Sequence, residues 1–377
     1  MKDRKHILKL FAPVLCILLF FCLTACNSEN NAEELSQANT TNIFTVRNAS
    51  RRLAVSDGRN TYFACGIGET LVDPSQDKWV NEWSIGVLDS EGNSKGILYA
   101  HIPAGEELFI CDNRIFYKAV DDSRLMCIKT DGNSPVETVM DSGCLRIIGI
   151  FDNDLFYIGT DTETIFRLSL HSLESAKLTD CDSLFPDINT DFSEDNLLFS
   201  AMVEDRIYLS FDGTDCLTIV SAEDGSSSNI LTQVCSQNES FIPLCATSSE
   251  LYYAISSSDA SNSKKIYQTS FDCPDDPQEL NESLGNSFLN GYFIIDEWLY
   301  YGCNIADASF FSEHTQQLDL RRINLGDPSQ DFEVIENLFL SDGRICPLSN
   351  GIIYHRRDTG EFNICRLSGE DEKFLWY

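Results

Sequence analysis

The stretch Leu145–Asp180, LRIIGIFDNDLFYIGTDTETIFRLSLHSLESAKLTD, contains four short apolar runs separated by polar residues. Its β-branched and aromatic residues favour strands, and its Asp, Asn and Ser clusters favour turns. We therefore predict four strands, named a to d in chain order: LRIIGIF, LFYIGTD, TIFRLSLH and AKLTD. The Asp152-Asn153-Asp154 turn joins the first strand to the second.

The same unit recurs along the chain, and its clearest mark is an apolar and aromatic triplet in strand b. The triplets are Thr61-Tyr62-Phe63, Ile115-Phe116-Tyr117, Leu155-Phe156-Tyr157, Ile207-Tyr208-Leu209, Leu251-Tyr252-Tyr253, Leu299-Tyr300-Tyr301 and Ile352-Ile353-Tyr354. Their spacing is 40 to 54 residues. A period near 40–50 residues with four short strands per unit is typical of a β-propeller. We predict an all-β chain with four-stranded antiparallel blades, seven in number, with six or eight as alternatives.

Chain length agrees with this architecture. Residues 43–377 give about 48 residues per unit for seven units, and a single conventional core rarely exceeds about 250–300 residues. Two unrelated β-sandwiches are the competing interpretation. The unbroken repeat through the middle of the chain favours the propeller.

Several strand c sequences carry a family resemblance: IFRLSL, LRRINLGD, MCIKTDG and ICRLSGED. They resemble the YWTD propellers of low-density lipoprotein receptors and, more closely, propeller domains of unknown function in exported lipoproteins of Gram-positive bacteria. The resemblance covers about residues 51–377 and implies the architecture rather than a ligand. An intact Tyr-Trp-Thr-Asp is absent, and Tyr157-Ile158-Gly159-Thr160-Asp161 is the nearest approach. Either FLWY (374–377) or IFTVRN (43–48) is expected to complete the ring as an outer strand.

The amino terminus has the order of a secretory signal. Basic residues in the first nine positions precede the apolar run Leu10–Ala25, which is short for a membrane-spanning helix. Leu23-Thr24-Ala25-Cys26 resembles a bacterial lipobox, which implies cleavage before Cys26 and a lipid on that cysteine. We predict a signal peptide at 1–25, a lipidated, polar tether at 26–42 and a propeller at 43–377, anchored on the outer face of the cytoplasmic membrane. An uncleaved anchor is the alternative, and it also exports the rest of the chain.

The net charge of the chain limits the classes of partner that it can bind. The formal net charge is −32, and loss of residues 1–25, with four basic residues and one acidic, makes it three charges more negative. Such a surface repels phosphate backbones, so nucleic acid is not an expected partner. Of 15 cysteines, 12 follow Cys26. Their even number permits disulfides in an exported chain, whereas their apolar surroundings favour buried thiols, and the sequence leaves both open.

Catalytic motifs give no support for an enzyme. The sialidase Asp box, HExxH and CxxC are missing from the sequence. The histidines after the signal, at 101, 171, 314 and 355, fall in different units. Carboxylate pairs such as Asp121-Asp122, Asp152-Asp154, Asp275-Asp276 and Glu370-Asp371 are expected by chance in so acidic a chain. We assign no catalytic residue, cofactor or metal, and keep a glycan-active propeller enzyme using paired carboxylates as the alternative function.

Loop lengths point to a binding surface. The predicted connection between strands b and c is about 19 residues in unit one, 12 in unit five and 18 in unit six, and all such connections leave a propeller on one face. Unit one contributes Trp79 and Trp83, and unit six contributes Phe310, Phe311 and His314. Long loops with exposed aromatic residues favour recognition. We predict that these side chains form a ridge that binds a carbohydrate, peptide or protein, the alternative being that the aromatic rings fold back on the blades.

Overall fold

The structure is a computed structural model, and it describes residues 45–46, 54–73, 78–102, 107–119, 123–160, 164–180, 184, 197–211, 217–230, 239–247, 249–257, 264–281, 293–295, 297–304, 316–327, 329–340, 345–348, 351–355, 362–371 and 373–376. These residues belong to one compact unit, Thr40–Tyr377. Among them, no helix is long and apolar enough to span a membrane. The predicted signal peptide, the lipobox-like residues and Cys26 lie outside the described residues.

The described residues form 29 strands. The first is β1 (Thr45–Val46). Blade 1 comprises β2 (Ala54–Ser56), β3 (Asn60–Asp73), β4 (Lys78–Asp89) and β5 (Ser94–Ile102); blade 2 comprises β6 (Phe109–Cys111), β7 (Arg114–Lys118), β8 (Leu125–Lys129) and β9 (Glu137–Met140). Blade 3 comprises β10 (Cys144–Phe151), β11 (Asp154–Gly159), β12 (Thr164–Ser169) and β13 (Ser175–Asp180); blade 4 comprises β14 (Leu197–Val203), β15 (Arg206–Phe211), β16 (Leu217–Ser221) and β17 (Ser227–Ile230).

The remaining blades follow the same order. Blade 5 comprises β18 (Glu239–Ala246), β19 (Glu250–Ser257), β20 (Lys264–Ser270) and β21 (Cys273–Asn281). Blade 6 comprises β22 (Phe293–Ile295), β23 (Trp298–Asn304), β24 (Gln316–Asn324) and β25 (Asp331–Leu340). Blade 7 comprises β26 (Ile345–Leu348), β27 (Gly351–His355), β28 (Phe362–Cys365) and β29 (Lys373–Trp376).

Each blade is an antiparallel sheet built from four consecutive strands, and the seven sheets form a seven-bladed β-propeller. The predicted fold class and blade number are therefore confirmed, and the two-sandwich alternative is wrong. In blade 3, the four predicted strands coincide with β10 to β13 within a few residues. All seven triplets fall in the second strand of their blades.

The hydrophobic core lies between the blades. In β7, Phe116 packs with residues of blade 3, whereas its neighbour Tyr117 packs with residues of blade 1. Successive side chains of a strand point to opposite faces of the sheet, so a strand between two blades is buried on both faces. This geometry explains why the triplets, apart from Thr61, consist of apolar and aromatic residues instead of alternating with polar residues.

Blades 7 and 1 pack against each other, and among the described residues they exchange no strand. Ala54 and Phe63 of blade 1 share a buried cluster with Cys346 and Ile353 of blade 7. The backbone N–H of Ala54 donates to Sγ of Cys346 at 3.2 Å. Of the two predicted closing segments, FLWY forms most of β29, the outermost strand of blade 7. The expectation that IFTVRN completes that blade is wrong, since Thr45–Val46 pairs elsewhere.

Strand β1 instead pairs with β14, the innermost strand of blade 4, so that this sheet has five strands. The register partners are Thr45 with Ser200 and Val46 with Phe199. The innermost strands of a propeller surround its central channel. The segment Thr45–Val46 therefore lies along the channel wall.

The two faces of the ring differ in their connections. Turns between strands a and b and between strands c and d lie on one face, called here the turn face. Connections between strands b and c lie on the opposite face, called here the loop face. Because β1 runs antiparallel to β14, it runs from the turn face towards the loop face.

Candidate functional site

The most prominent feature of the loop face is a β-hairpin from blade 1. Strand β3 has 14 residues and β4 has 12, and their pairing continues to Asp73 opposite Lys78. The outer strand β5 pairs with β4 only as far as Trp83 opposite Ile102. Beyond that point, Gly68–Asp73 and Lys78–Glu82 pair with each other, and we call this part the blade 1 arm. At 3.3 Å per residue it is roughly 17 Å long.

The arm corrects one expectation. The stretch ACGIGETLVDPSQDKWVNE, predicted to be a loop, is a β-hairpin whose connection, residues 74–77, lies outside the described residues. Glycines at 66 and 68 and few β-branched residues in the first strand weakened the strand signal. A search for two sequences that can pair across PSQD would have found the hairpin.

The two tryptophans of the predicted ridge occupy different places. Trp83 is only 6% exposed and packs with Tyr62 and Ile85 in the cluster between blades 1 and 2. It anchors the base of the hairpin and presents no ring to solvent. Trp79 belongs to the arm, where it is the register partner of Leu71.

The other ridge residues, Phe310, Phe311 and His314, lie outside the described residues. They belong to the connection between Asn304, the last residue of β23, and Gln316, the first of β24. Strands b and c of blade 6 face each other up to Asn304 and Leu318. The matching connection of blade 7, between His355 and Phe362, is shorter. Blade 7 therefore lies between the blade 1 arm and the longer connection of blade 6.

Carboxylates of the turn face have structural partners. Asp131 Oδ1 accepts backbone N–H groups from Asn133 at 2.9 Å and Ser134 at 3.0 Å, and the Ser134 hydroxyl donates to Oδ2 at 2.8 Å. These hydrogen bonds hold the pKa of the Asp131 carboxyl below its ordinary value, and the bond from the Asn133 backbone N–H has the largest effect. The corresponding turns hold the pKa values of Asp89, Asp224 and Asp327 down in the same way. These carboxylates stabilise turns, and they lie on the face opposite the arm.

Two of the carboxylates that the sequence grouped into pairs are bound in ion pairs. Asp154 is 7% exposed and binds Arg167 of the neighbouring strand. Asp371 binds Arg366 across the last turn of blade 7, at 2.8 Å. Among the described residues, no three His, Cys, Asp or Glu side chains form a group that could hold a metal ion.

A cavity of about 410 Å³ lies where blades 7 and 1 meet on the turn face. It is lined by Glu91 and Gly92 from blade 1 and by Cys365, Arg366 and Lys373 from blade 7, among others. Lys373 Nζ lies 3.5 Å from the carbonyl oxygen of Glu91. This contact of Lys373 joins the two blades at the seam.

The cysteines with described side chains are free thiols: Cys111, Cys127, Cys144, Cys273, Cys346 and Cys365. Cys127 is buried, and burial raises the pKa of its thiol to about 11. A thiol with a raised pKa is a poor nucleophile at neutral pH. None of these six forms a disulfide, and Cys127, Cys144, Cys346 and Cys365 are buried thiols, whereas Cys111 is half-buried and Cys273 is exposed.

Comparisons with known proteins agree with the fold. No protein-family model matches the chain, and no curated protein matches it. The propeller domain of the Trilobed protease from Pyrococcus furiosus, described as having an open velcro topology, is 11% identical with a TM-score of 0.53, covering 90% of this chain and 99% of that one. Acylaminoacyl peptidase from Pyrococcus horikoshii is 12% identical with a TM-score of 0.55, over 91% of this chain and 54% of that one.

A nidogen/laminin complex is also similar, with 14% identity, a TM-score of 0.41 and coverage of 70% of this chain and 93% of that one. The chain spans about half the length of the acylaminoacyl peptidase. At these identities the likeness extends to the fold alone. The chain is a seven-bladed β-propeller whose function has to be inferred from its own surface.

Proposed function

We propose that the protein is a lipid-anchored binding or scaffolding module of the bacterial cell surface, which holds a carbohydrate, peptide or protein ligand on its loop face. The blade 1 arm is the observation that supports this proposal. The arm extends past the end of β5, so among the described residues no outer strand pairs with it. A two-stranded ribbon alone is marginally stable in water, so contact with a ligand would stabilise the arm.

The base of the arm is rigid, and this favours recognition. Trp83 and Ile85 are buried between blades 1 and 2, directly below the last pair of the arm. A binding element on a fixed base loses less conformational freedom when its ligand arrives. Trp79 on the arm and Phe310, Phe311 and His314 in the blade 6 connection remain the residues proposed to contact the ligand.

The cell-surface location rests on the lipobox. Lipid on Cys26 would supply the membrane contact, and two or three acyl chains suffice for stable anchoring where one does not. Incorporation of labelled fatty acid into the wild-type protein and its loss in Cys26→Ser test this part. Equal labelling of both proteins would contradict it.

A glycan-active enzyme is the alternative function. Asp131 and the corresponding turn aspartates accept hydrogen bonds from backbone N–H groups, and Asp154 and Asp371 bind arginines. These carboxylates therefore offer no free pair for acid and base roles. The two functions differ in one measurable outcome, which is turnover.

The test uses protein that begins at Asn27, screened by thermal shift against glycan, peptide and peptidoglycan fragments while the same samples are analysed for products. We expect a shift without turnover. In the matched variant, Glu69–Asn81 is replaced by Asn-Gly, which closes the hairpin with a two-residue turn. The shift should disappear in this variant and persist in Leu173→Gly, which alters the turn face. Hydrolysed products would contradict the binding proposal.

A further inference from the structure

The channel side of blade 4 has a property that the other blades do not share among the described residues. Its innermost strand β14 is paired on both edges, with β15 on one side and with β1 on the other. The partners Thr45 and Val46 come from the chain segment that precedes blade 1. A strand edge in the channel therefore accepts an extended polypeptide in this molecule.

Strand length shows where such pairing is possible. The described innermost strands of blades 3, 4 and 5 have 8, 7 and 8 residues, whereas those of blades 1, 2, 6 and 7 have 3 or 4. In an antiparallel sheet, alternate residues direct their backbone groups to each neighbour, so a long inner strand presents several donors and acceptors to the channel. The wall formed by blades 3 to 5 therefore provides the longest open edges, and β1 uses the middle one.

The side chains of β14 leave its edge accessible. Ala201 and Val203 pack against blade 5, and Met202 packs against blade 3, each at most 5% exposed. Because these side chains are directed to the neighbouring blades, the backbone of β14 forms the surface that faces the channel. Among the described residues, pairing with β1 covers Phe199 and Ser200, and Ala201 to Val203 continue the same edge of β14.

We propose that the channel edge of β14 is a binding site for an extended peptide, and that Thr45–Val46 occupies it in cis. Recognition is by backbone hydrogen bonds, as in other cases of strand addition, so the ligand is a polypeptide segment without proline at the paired positions. The two described pairs hold the cis segment weakly. Because the segment is covalently linked to the propeller, its effective concentration at the edge is in the millimolar range, which compensates for the weak pairing. A longer peptide in trans can then replace it.

The experiment measures binding of a fluorescent peptide with the sequence of residues 41–50, TNIFTVRNAS, to the full chain in detergent. The variant Thr45→Pro/Val46→Pro removes the donors of the cis strand and should bind the peptide at least about tenfold more tightly than wild type, because the competitor is gone. The matched control Thr45→Ala/Val46→Ala keeps every backbone group and should bind like wild type. A peptide with proline at the same two positions should not bind any of the three.

Equal affinity of the proline variant and wild type would overturn the proposal. So would tight binding to the alanine control alone, since that would indicate recognition of side chains. Amide exchange in the wild type gives a second measurement that does not depend on how the variants fold. Thr45 and Val46 should exchange more slowly than the same residues in the free peptide 41–50, and exchange at the rate of that peptide would exclude the cis strand.

Discussion

Leu173 holds a conformation that L-residues other than glycine avoid. Its φ is +58° and it is 49% exposed, in the turn between strands c and d of blade 3. In blade 4 the same turn position is Gly225, and both residues donate their N–H groups to the last residue of strand c, at 2.9 Å to Ser169 and 3.0 Å to Ser221. The left-handed conformation costs about 1–2 kcal/mol for a residue with a Cβ atom.

Leu173→Gly should therefore raise the free energy of unfolding, by up to about 1 kcal/mol after the entropy of glycine in the unfolded chain is subtracted. Chemical denaturation measures the difference. The reverse exchange, Gly225→Leu, should destabilise, because a Cβ atom there would lie 2.4 Å from the carbonyl oxygen of Leu178. A stabilised Gly225→Leu protein would show that the turns are not equivalent.

Asp131 gives a pH prediction at the same scale. Its hydrogen bonds lower the pKa of the carboxyl below 3.8, so its charged form stabilises the fold at neutral pH and this contribution is lost as the pH falls below about 4. Asp131→Asn should be less stable than wild type at pH 7, and the difference should shrink towards pH 3. Comparing the two proteins removes the general effect of acid on so negative a chain. A difference that grows on acidification would contradict the assignment.

At the scale of the element, the blade 1 hairpin has a buried base and a free arm. Trp83→Ala should lower the free energy of unfolding by about 3–5 kcal/mol, since the ring is 6% exposed and packs between two blades. Trp79→Ala should change stability by less than about 0.5 kcal/mol, because position 79 pairs only within the arm. Thermal and denaturant unfolding compare the two directly. Equal losses would mean that the arm is part of the core.

Elements differ in how well the sequence predicts them. The blade 3 strands were predictable because their apolar runs are bounded by turn residues on both sides. The arm was not, since its pairing depends on register between two strands of mixed composition, Gly68–Asp73 and Lys78–Glu82. Strand β1 could not be predicted from the sequence, because two residues carry no periodic signal and their partner strand lies about 150 residues further along the chain.

For the whole molecule, the spacing of the triplets predicted seven blades because each blade repeats the same burial on both faces of strand b. Ring closure was predictable only in part, since FLWY and IFTVRN have similar strand propensity. Of the five predicted ligand-contacting residues, Trp83 lies in the core, where its size and apolar ring suit burial as well as recognition.

The seam predicts a local weakness in the ring. Blades 7 and 1 are joined by packing around Phe63, Cys346 and Ile353, without a shared strand. Ile353→Ala should lower the free energy of unfolding by about 2–5 kcal/mol. It should accelerate amide exchange in β2 and β28 before exchange in the blades far from the seam is affected. Ile207→Ala, an equally buried residue of strand b in blade 4, is the matched control. Uniform acceleration in both variants would contradict a seam.

Sedimentation with cell envelopes tests whether the blade 1 arm binds a cell-surface ligand. Protein that begins at Asn27 is mixed with isolated Gram-positive cell envelopes, which display glycans, peptides and proteins together, and the bound fraction is measured after sedimentation. We predict that wild type binds and that the variant with Glu69–Asn81 replaced by Asn-Gly, equally stable, does not. Equal binding of the two proteins, or no binding of the wild type, would contradict the claim.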